Sequence, residues 1–196
     1  MKQEIIKISL AGFLKYGIRR MTIQKLVSPL GISSKTVYKY FKNKEELLRQ
    51  CLALHYKRLF DDALAVFDKQ PNSVLALDNA WKQALENDFG VNKVFYHDLN
   101  YYYPSLQDKI IKKHGNKISG AFMKLINQGM KQGYFRKDLN PHVILEAMMV
   151  LYSSLTRTEQ FKKFGLSPAD LVKHTVRVYL QGICTGKGLK EFNISG

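Results

Sequence analysis

The chain has 196 residues and a formal net charge of +15 at pH 7, with 45% hydrophobic and 24% charged residues. That apolar share is enough for a packed core and excludes a disordered chain. The charge favours polyanionic partners, nucleic acid first and an acidic membrane surface second. No apolar run approaches the roughly 20 residues needed to cross a bilayer. The N-terminus, broken by Lys2, Lys7 and Lys15, lacks the apolar stretch of a signal peptide. A soluble, cytoplasmic protein with no membrane partner is expected. The charge is front-loaded, since the first fifty residues hold 11 Lys and Arg against 3 Glu.

The periodicity is helical almost throughout, so an all-α fold is expected, with about nine helices. Ile6, Leu10, Phe13 and Leu14 share one face of a first helix, which Gly17 stops. Thr22 caps a second helix with Ile23, Leu26, Val27 and Leu30 on its apolar face, and Gly31 ends it. Ser33 caps a third helix that turns Val37 and Phe41 inward, and Asn43 caps a long fourth helix running toward Lys69. Further helices are expected over about 72–89, 92–103, 105–132, 141–159 and 168–185, separated by Gly90, Pro104, the stretch from Gly133 to Pro141, and Gly165 to Pro168. Gly115, Gly120 and Gly129 weaken the 105–132 segment, and the tail from Gly186 reads as frayed.

Three short helices with a tight turn before the third predict a helix-turn-helix. Its third helix must present small and polar side chains to base edges in the major groove and bury an apolar rear face. The run from Ser33 to Phe41 meets both demands: Val37 and Phe41 face inward, while Ser34, Lys35, Thr36, Tyr38, Lys39 and Tyr40 are left outside. The free amides at its start favour a nearby phosphate.

Thr22, Gly31-Ile32-Ser33, Thr36-Val37-Tyr38, Phe41 and Lys44-Glu45-Glu46-Leu47 stand at the spacing of one family, with Phe13 and Gly17 matching the end of its first helix. Over about the first 50 residues the chain resembles the DNA-binding domain of TetR-family bacterial regulators. Pro29 and Lys35 depart from the pattern, Pro29 where a helix former is usual and Lys35 where a small residue is common. The resemblance implies a helix-turn-helix domain over 1–48, with the fourth helix as link, and a helical ligand-binding and dimerisation domain over 49–196. By matching position, Thr22, Tyr38 and Lys44 would hold DNA phosphates. Ser34, Lys35, Thr36, Lys39 and Tyr40 would lie along the groove beside the cap Ser33, and Gln24 would reach a base from the second helix. Arg19 and Arg20 read equally well as phosphate contacts or as loop charges.

The remainder carries aromatic and soft apolar residues of two readings. Trp81, Phe95, Tyr96, His97, Tyr101, Phe122 and Met148 suit either a tight core or the walls of a cavity for a small hydrophobic effector. Two apolar stripes, Ile144-Met148-Leu151-Tyr152-Leu155 and Leu171-Val172-Val176-Val178-Tyr179-Ile183, suit either one core or a homodimer's four-helix interface. Enzymatic readings find no support. His55, His97, His114, His142 and His174 have no metal-ligand spacing, no phosphate-binding glycine loop follows a strand, and Cys51 and Cys184 read as reduced, buried thiols. His97-Asp98 reads more readily as a surface or pocket-lining pair than as a proton-transfer pair. No cofactor or metal is expected. The functional expectation is a repressor released from a near-palindromic operator on double-stranded DNA by a small hydrophobic ligand. The alternative is an effector-independent architectural DNA-binding protein.

Overall fold

The computed structural model describes residues 1–157 and 160–193. The expected end of one helix at Glu159, the last three residues and the side chain of His114 lie outside the described residues. Eleven α-helices follow one another among them: α1 (Lys2–Tyr16), α2 (Ile23–Val27), α3 (Ser34–Tyr38), α4 (Lys44–Phe67), α5 (Ser73–Phe89), α6 (Lys93–Tyr102), α7 (Pro104–Lys131), α8 (Pro141–Arg157), α9 (Pro168–His174), α10 (Val176–Ile183) and α11 (Gly186–Asn193). Single 3-10 turns occupy Ser28–Leu30 and Lys162–Phe164. The described residues form no strand, only an isolated bridge between Phe135 and Cys184.

The caps stand where local chemistry places them. The Thr22 hydroxyl accepts from the Lys25 amide, Ser33 from Thr36, and the Asn43 carboxamide oxygen from Glu46. α1 ends at Gly17, whose amide donates to the Phe13 carbonyl. α2 passes into a 3-10 turn at Ser28, one residue before Pro29, because proline cannot supply the next α-helical donor.

Three features differ from the expected helices. α7 runs unbroken through its glycines; at Gly129 a side chain is excluded, since a Cβ would stand 2.2 Å from the buried Phe135 ring. The expected 168–185 helix breaks at Thr175, which leaves helical geometry and whose hydroxyl donates back to the Leu171 carbonyl. The described part of the tail, Gly186–Asn193, is the helix α11 rather than frayed. Thr185 accepts from the Gly188 amide, Phe192 is buried, and Glu191 accepts from the Asn72 carboxamide.

Compactness divides the chain into two units, Met1–Arg58 with Gly90–His114, and Leu59–Phe89 with Gly115–Gly196. A cut at residue 48 follows chain order, whereas the compact grouping returns α6 to the N-terminal helices through hydrogen bonds described below. The first unit is cored by Phe13, Ile18, Leu26, Val37, Phe41, Leu48, Leu52, Phe95 and Leu99. The second is cored by Trp81, Leu85, Phe122, Ile126, Phe135, Met148 and Leu180.

Candidate nucleic-acid interface and effector residues

α2 and α3 are joined by side chains from the sequence-predicted set. The Gln24 carboxamide oxygen accepts from the Ser34 hydroxyl at 2.9 Å and from its amide at 3.4 Å, and the Ser33 and Thr36 hydroxyls lie 3.3 Å apart. The start of α3 is therefore occupied internally: the Ser34 and Thr36 amides already have acceptors, so the expected phosphate position on them is not free. α3 also stops at Tyr38 instead of reaching Phe41. Its end tightens as Lys39 and Tyr40 donate three residues back, to Thr36 and Val37. Lys39 and Tyr40 thus stand on the turn after α3.

Behind this surface Val37 and Phe41 are fully buried, which fixes the opposite face outward. Tyr38 is 54% exposed, and Lys35, Lys39 and Tyr40 are exposed beside it. Thr22, Gln24, Ser33 and Ser34 act here as caps and braces; Lys35, Tyr38, Lys39 and Tyr40 are the outward groups. Lys44, expected at a DNA phosphate, also has an internal partner. Its ammonium donates to the Ile18 carbonyl at 2.6 Å, and burial lowers its pKa against the opposing effect of Asp98.

Sequence reasoning missed α6 altogether as part of this region. Asp98 is buried and accepts from the Ile18 and Arg19 amides at 2.8 Å each. Asn92 donates its carboxamide to the Lys15 carbonyl and its amide to the Leu14 carbonyl. Arg19 lies over the Tyr102 ring and donates to its hydroxyl at 2.7 Å, which makes Arg19 an internal contact more than a loop charge. Asn92 before a helical stretch is a readable cap, but nothing local to Asp98 signals partners 80 residues away.

The seven expected effector-lining residues are divided between the two units. His97 and Tyr101 are 68% and 72% exposed and stack on each other with centroids 6.1 Å apart, so they wall no enclosed cavity. Phe95 and Tyr96 belong to the first unit and pack with His55, whose ring nitrogen is 3.3 Å from the Tyr96 hydroxyl. Trp81, Phe122 and Met148 belong to the second unit. There Trp81 meets Phe122 and Tyr152 at 5.3 and 5.4 Å, and the buried Trp81 indole nitrogen has no acceptor among the described residues. A cleft of about 530 Å³ between α8 and α10, walled by Leu139, Val143, Ile144, Val178, Tyr179 and Ile183, contains none of the seven.

His55 yields a pH prediction. Burial, with Arg58 nearby, pulls its pKa from 6.5 to about 4, so the folded state holds it neutral. Between those values the unfolded chain binds a proton that the folded chain refuses. Stability should therefore fall as pH drops from 6.5 to 4, by about 3 kcal/mol if the whole shift is expressed. Urea midpoints across this range should flatten in His55→Phe relative to the wild-type chain; equal slopes would exclude His55 as the cause.

Among the described residues no group of three His, Cys, Asp or Glu could hold a metal, and no helix is long and apolar enough to cross a membrane. The fold and its outward basic, aromatic face define an all-helical DNA-binding protein of the helix-turn-helix class. Residues 5–51 match the family described as bacterial regulatory proteins, tetR family. The HTH-type transcriptional repressor KstR2 of Mycobacterium tuberculosis is 22% identical over 144 residues, 72% of each chain. Its namesake in Mycolicibacterium smegmatis is 19% identical over 97% of this chain and 94% of its own. The fold is shared with a putative transcriptional regulator from Saccharomonospora viridis in complex with choline, at a TM-score of 0.76 and 18% identity, over 94% of this chain and 97% of that one. Residues 5–51 thus match the tetR family of regulatory proteins, and over most of its length the chain is similar to transcriptional repressors and regulators.

Proposed function

We propose that the chain is a homodimeric repressor that leaves a near-palindromic operator when a small hydrophobic effector binds. The observation that carries the DNA side is the outward set Lys35, Tyr38, Lys39 and Tyr40 backed by buried Val37 and Phe41. Lys35 and Lys39 supply charge to phosphates or guanine edges, and the Tyr38 hydroxyl supplies a donor to phosphate. Thr22 and the remaining N–H groups of Lys44 add phosphate contacts at the flanks, and Gln24 braces α3 in place of reading a base. Duplexes selected from a random library should contain paired half-sites about one helical turn apart. Selection of unpaired or random sequence would favour the architectural reading.

Pairing is supported by Val143 and Val178, 63% and 57% exposed beside the α8–α10 cleft, with Val150 further along α8. Exposed valines on adjacent helices are the self-complementary material of a two-fold interface. The double substitution Val143→Glu with Val178→Glu should convert a dimer to a monomer in light scattering and weaken operator binding at least 10-fold, since buried carboxylates oppose association. A dimer that persists would remove this interface.

For the effector, the Trp81, Phe122 and Met148 cluster is favoured over the exposed His97 and Tyr101. Trp81 offers an unused indole donor among apolar walls. A ligand that prefers the chain's DNA-free state lowers operator affinity by the ratio of its two affinities. The relatives named for ketosteroid and fatty acid degradation regulation, and the one holding choline, suggest sterol-like, acyl and quaternary-amine compounds as first probes. Release of labelled operator by one of them, lost in Trp81→Phe, is the expected result.

A further inference from the structure

The peptide group between Ile18 and Arg19, peptide 18, is gripped from both sides by residues distant in sequence. The Arg19 amide donates to Asp98 at 2.8 Å, and the Ile18 carbonyl accepts from Lys44 at 2.6 Å. Asp98 also takes the Ile18 amide on the same oxygen, at 2.8 Å. Its neighbours on the same face of α6 continue the grip. Val94 presses on Gly17, where a Cβ would come within 2.7 Å of its methyl carbon, and Tyr102 holds Arg19. The spacing 94, 98 and 102 places all three on one helical stripe along residues 17–19. Lys44 opens α4, directly after the α3 turn, and lies 6.0 Å from the centre of the Phe13 ring on α1.

The consequence is mechanical. The turn that ends α1 and the first residue of α4 bracket α2 and α3, and both are referred to peptide 18. A buried carboxylate accepting two backbone amides is a strong and directional tie, because charge-assisted bonds exceed neutral ones and the low-dielectric setting sharpens them. Among the described residues Lys35, Tyr38, Lys39 and Tyr40 make no bond to Asp98, and Lys44 feels its charge while bonding the same peptide, so Asp98 acts through what it holds.

We propose that Asp98 is a positioning residue for operator recognition: by fixing peptide 18 it holds Lys44, and the corner between α1 and α4 that carries α2 and α3, in the arrangement that reads DNA. α6 thereby belongs functionally to the DNA-binding head. This rests on the helix-turn-helix reading of Tyr38 and Lys39.

The test uses the full chain and a duplex that the wild-type chain selects from a random library. Asp98→Ala should leave the helical content intact, speed hydrogen exchange at the Ile18 and Arg19 amides, and lower affinity for the selected duplex about 10-fold, as expected for displacing one phosphate-side group and the corner behind it. Asp98→Asn keeps an acceptor oxygen and should restore both amide protection and affinity to within about threefold. In a Lys44→Ala background, Asp98→Ala should add less than about threefold, because the two act through one peptide. Unchanged affinity with freely exchanging amides, or losses from Asp98→Ala and Lys44→Ala that multiply in full, would overturn the proposal. If Asp98→Ala does not fold, Asp98→Asn decides: a folded chain with protected amides and a 10-fold loss also overturns it. Failure of the underlying reading is seen separately, since the chain substituted at Tyr38 and Lys39 would then bind the duplex as the wild type does.

Discussion

Replacing Tyr38 and Lys39 together by alanine is expected to cost about 100-fold in affinity for the operator, from one phosphate and one groove contact of about 1–3 kcal/mol each, discounted for partial compensation. The fold should survive, because both side chains are exposed and the buried anchors of this region, Val37 and Phe41, are untouched. Circular dichroism and the thermal midpoint should match those of the wild-type chain. The salt dependence separates the two contributions. Loss of a cationic phosphate or groove contact should reduce the slope of log affinity against log salt by about one per half-site. Binding within threefold of wild type at 150 mM salt would remove the helix-turn-helix face from DNA recognition and return the charge bias of the first fifty residues to ordinary surface.

Gly17→Val should destabilise the chain by about 4 kcal/mol, the sum of a left-handed backbone forced on a β-branched residue and a core collision. Gly17 has φ +83, and a Cβ there would come within 2.7 Å of the Val94 methyl carbon and 3.0 Å of the Asp98 carboxylate. The helix that carries both neighbours is anchored: Asp98 is bound to two amides, and Phe95 and Leu99 are fully buried. Urea denaturation should show the loss in the midpoint. Gly17→Ala should show a smaller loss of the same sign, as the methyl meets the same atoms without the branch. A change below about 0.5 kcal/mol in both would mean that the turn relaxes freely, since left-handed strain alone is worth more than that. It would then tie α6 to α1 far less than the hydrogen bonds suggest.

The two predictions depend on different kinds of information. The exposure of Tyr38 and Lys39 was legible, because it follows from local alternation: Val37 and Phe41 are four apart, so the residues between them must face elsewhere. The caps at Thr22, Ser33 and Asn43 were legible for the same reason, each hydrogen bond closing over three residues. Gly17 was legible as a helix stop, but its collision with Val94 was not. The aromatic residues show where such reading ends. Trp81, Phe95, Tyr101 and Phe122 have equal chemical credentials as cavity walls, and the structure leaves one exposed and buries three, sorting those three between two compact units. The tail from Gly186 was read as frayed because it lies at a terminus, while the order of α11 comes from Thr185, Phe192 and the Asn72–Glu191 bond.

By itself the sequence determined the helical class, the starts of α2, α3 and α4, and the outward face of α3. These follow from hydrogen bonds and apolar spacing that repeat within one or two helical turns. Only the tertiary structure decided that Lys44 turns to Ile18, that Asp98 holds the end of α1 from 80 residues away, and that Gln24 braces Ser34. Those pairings depend on which helix faces dock, and a buried carboxylate or a half-buried ammonium takes whichever backbone group that docking leaves without a partner.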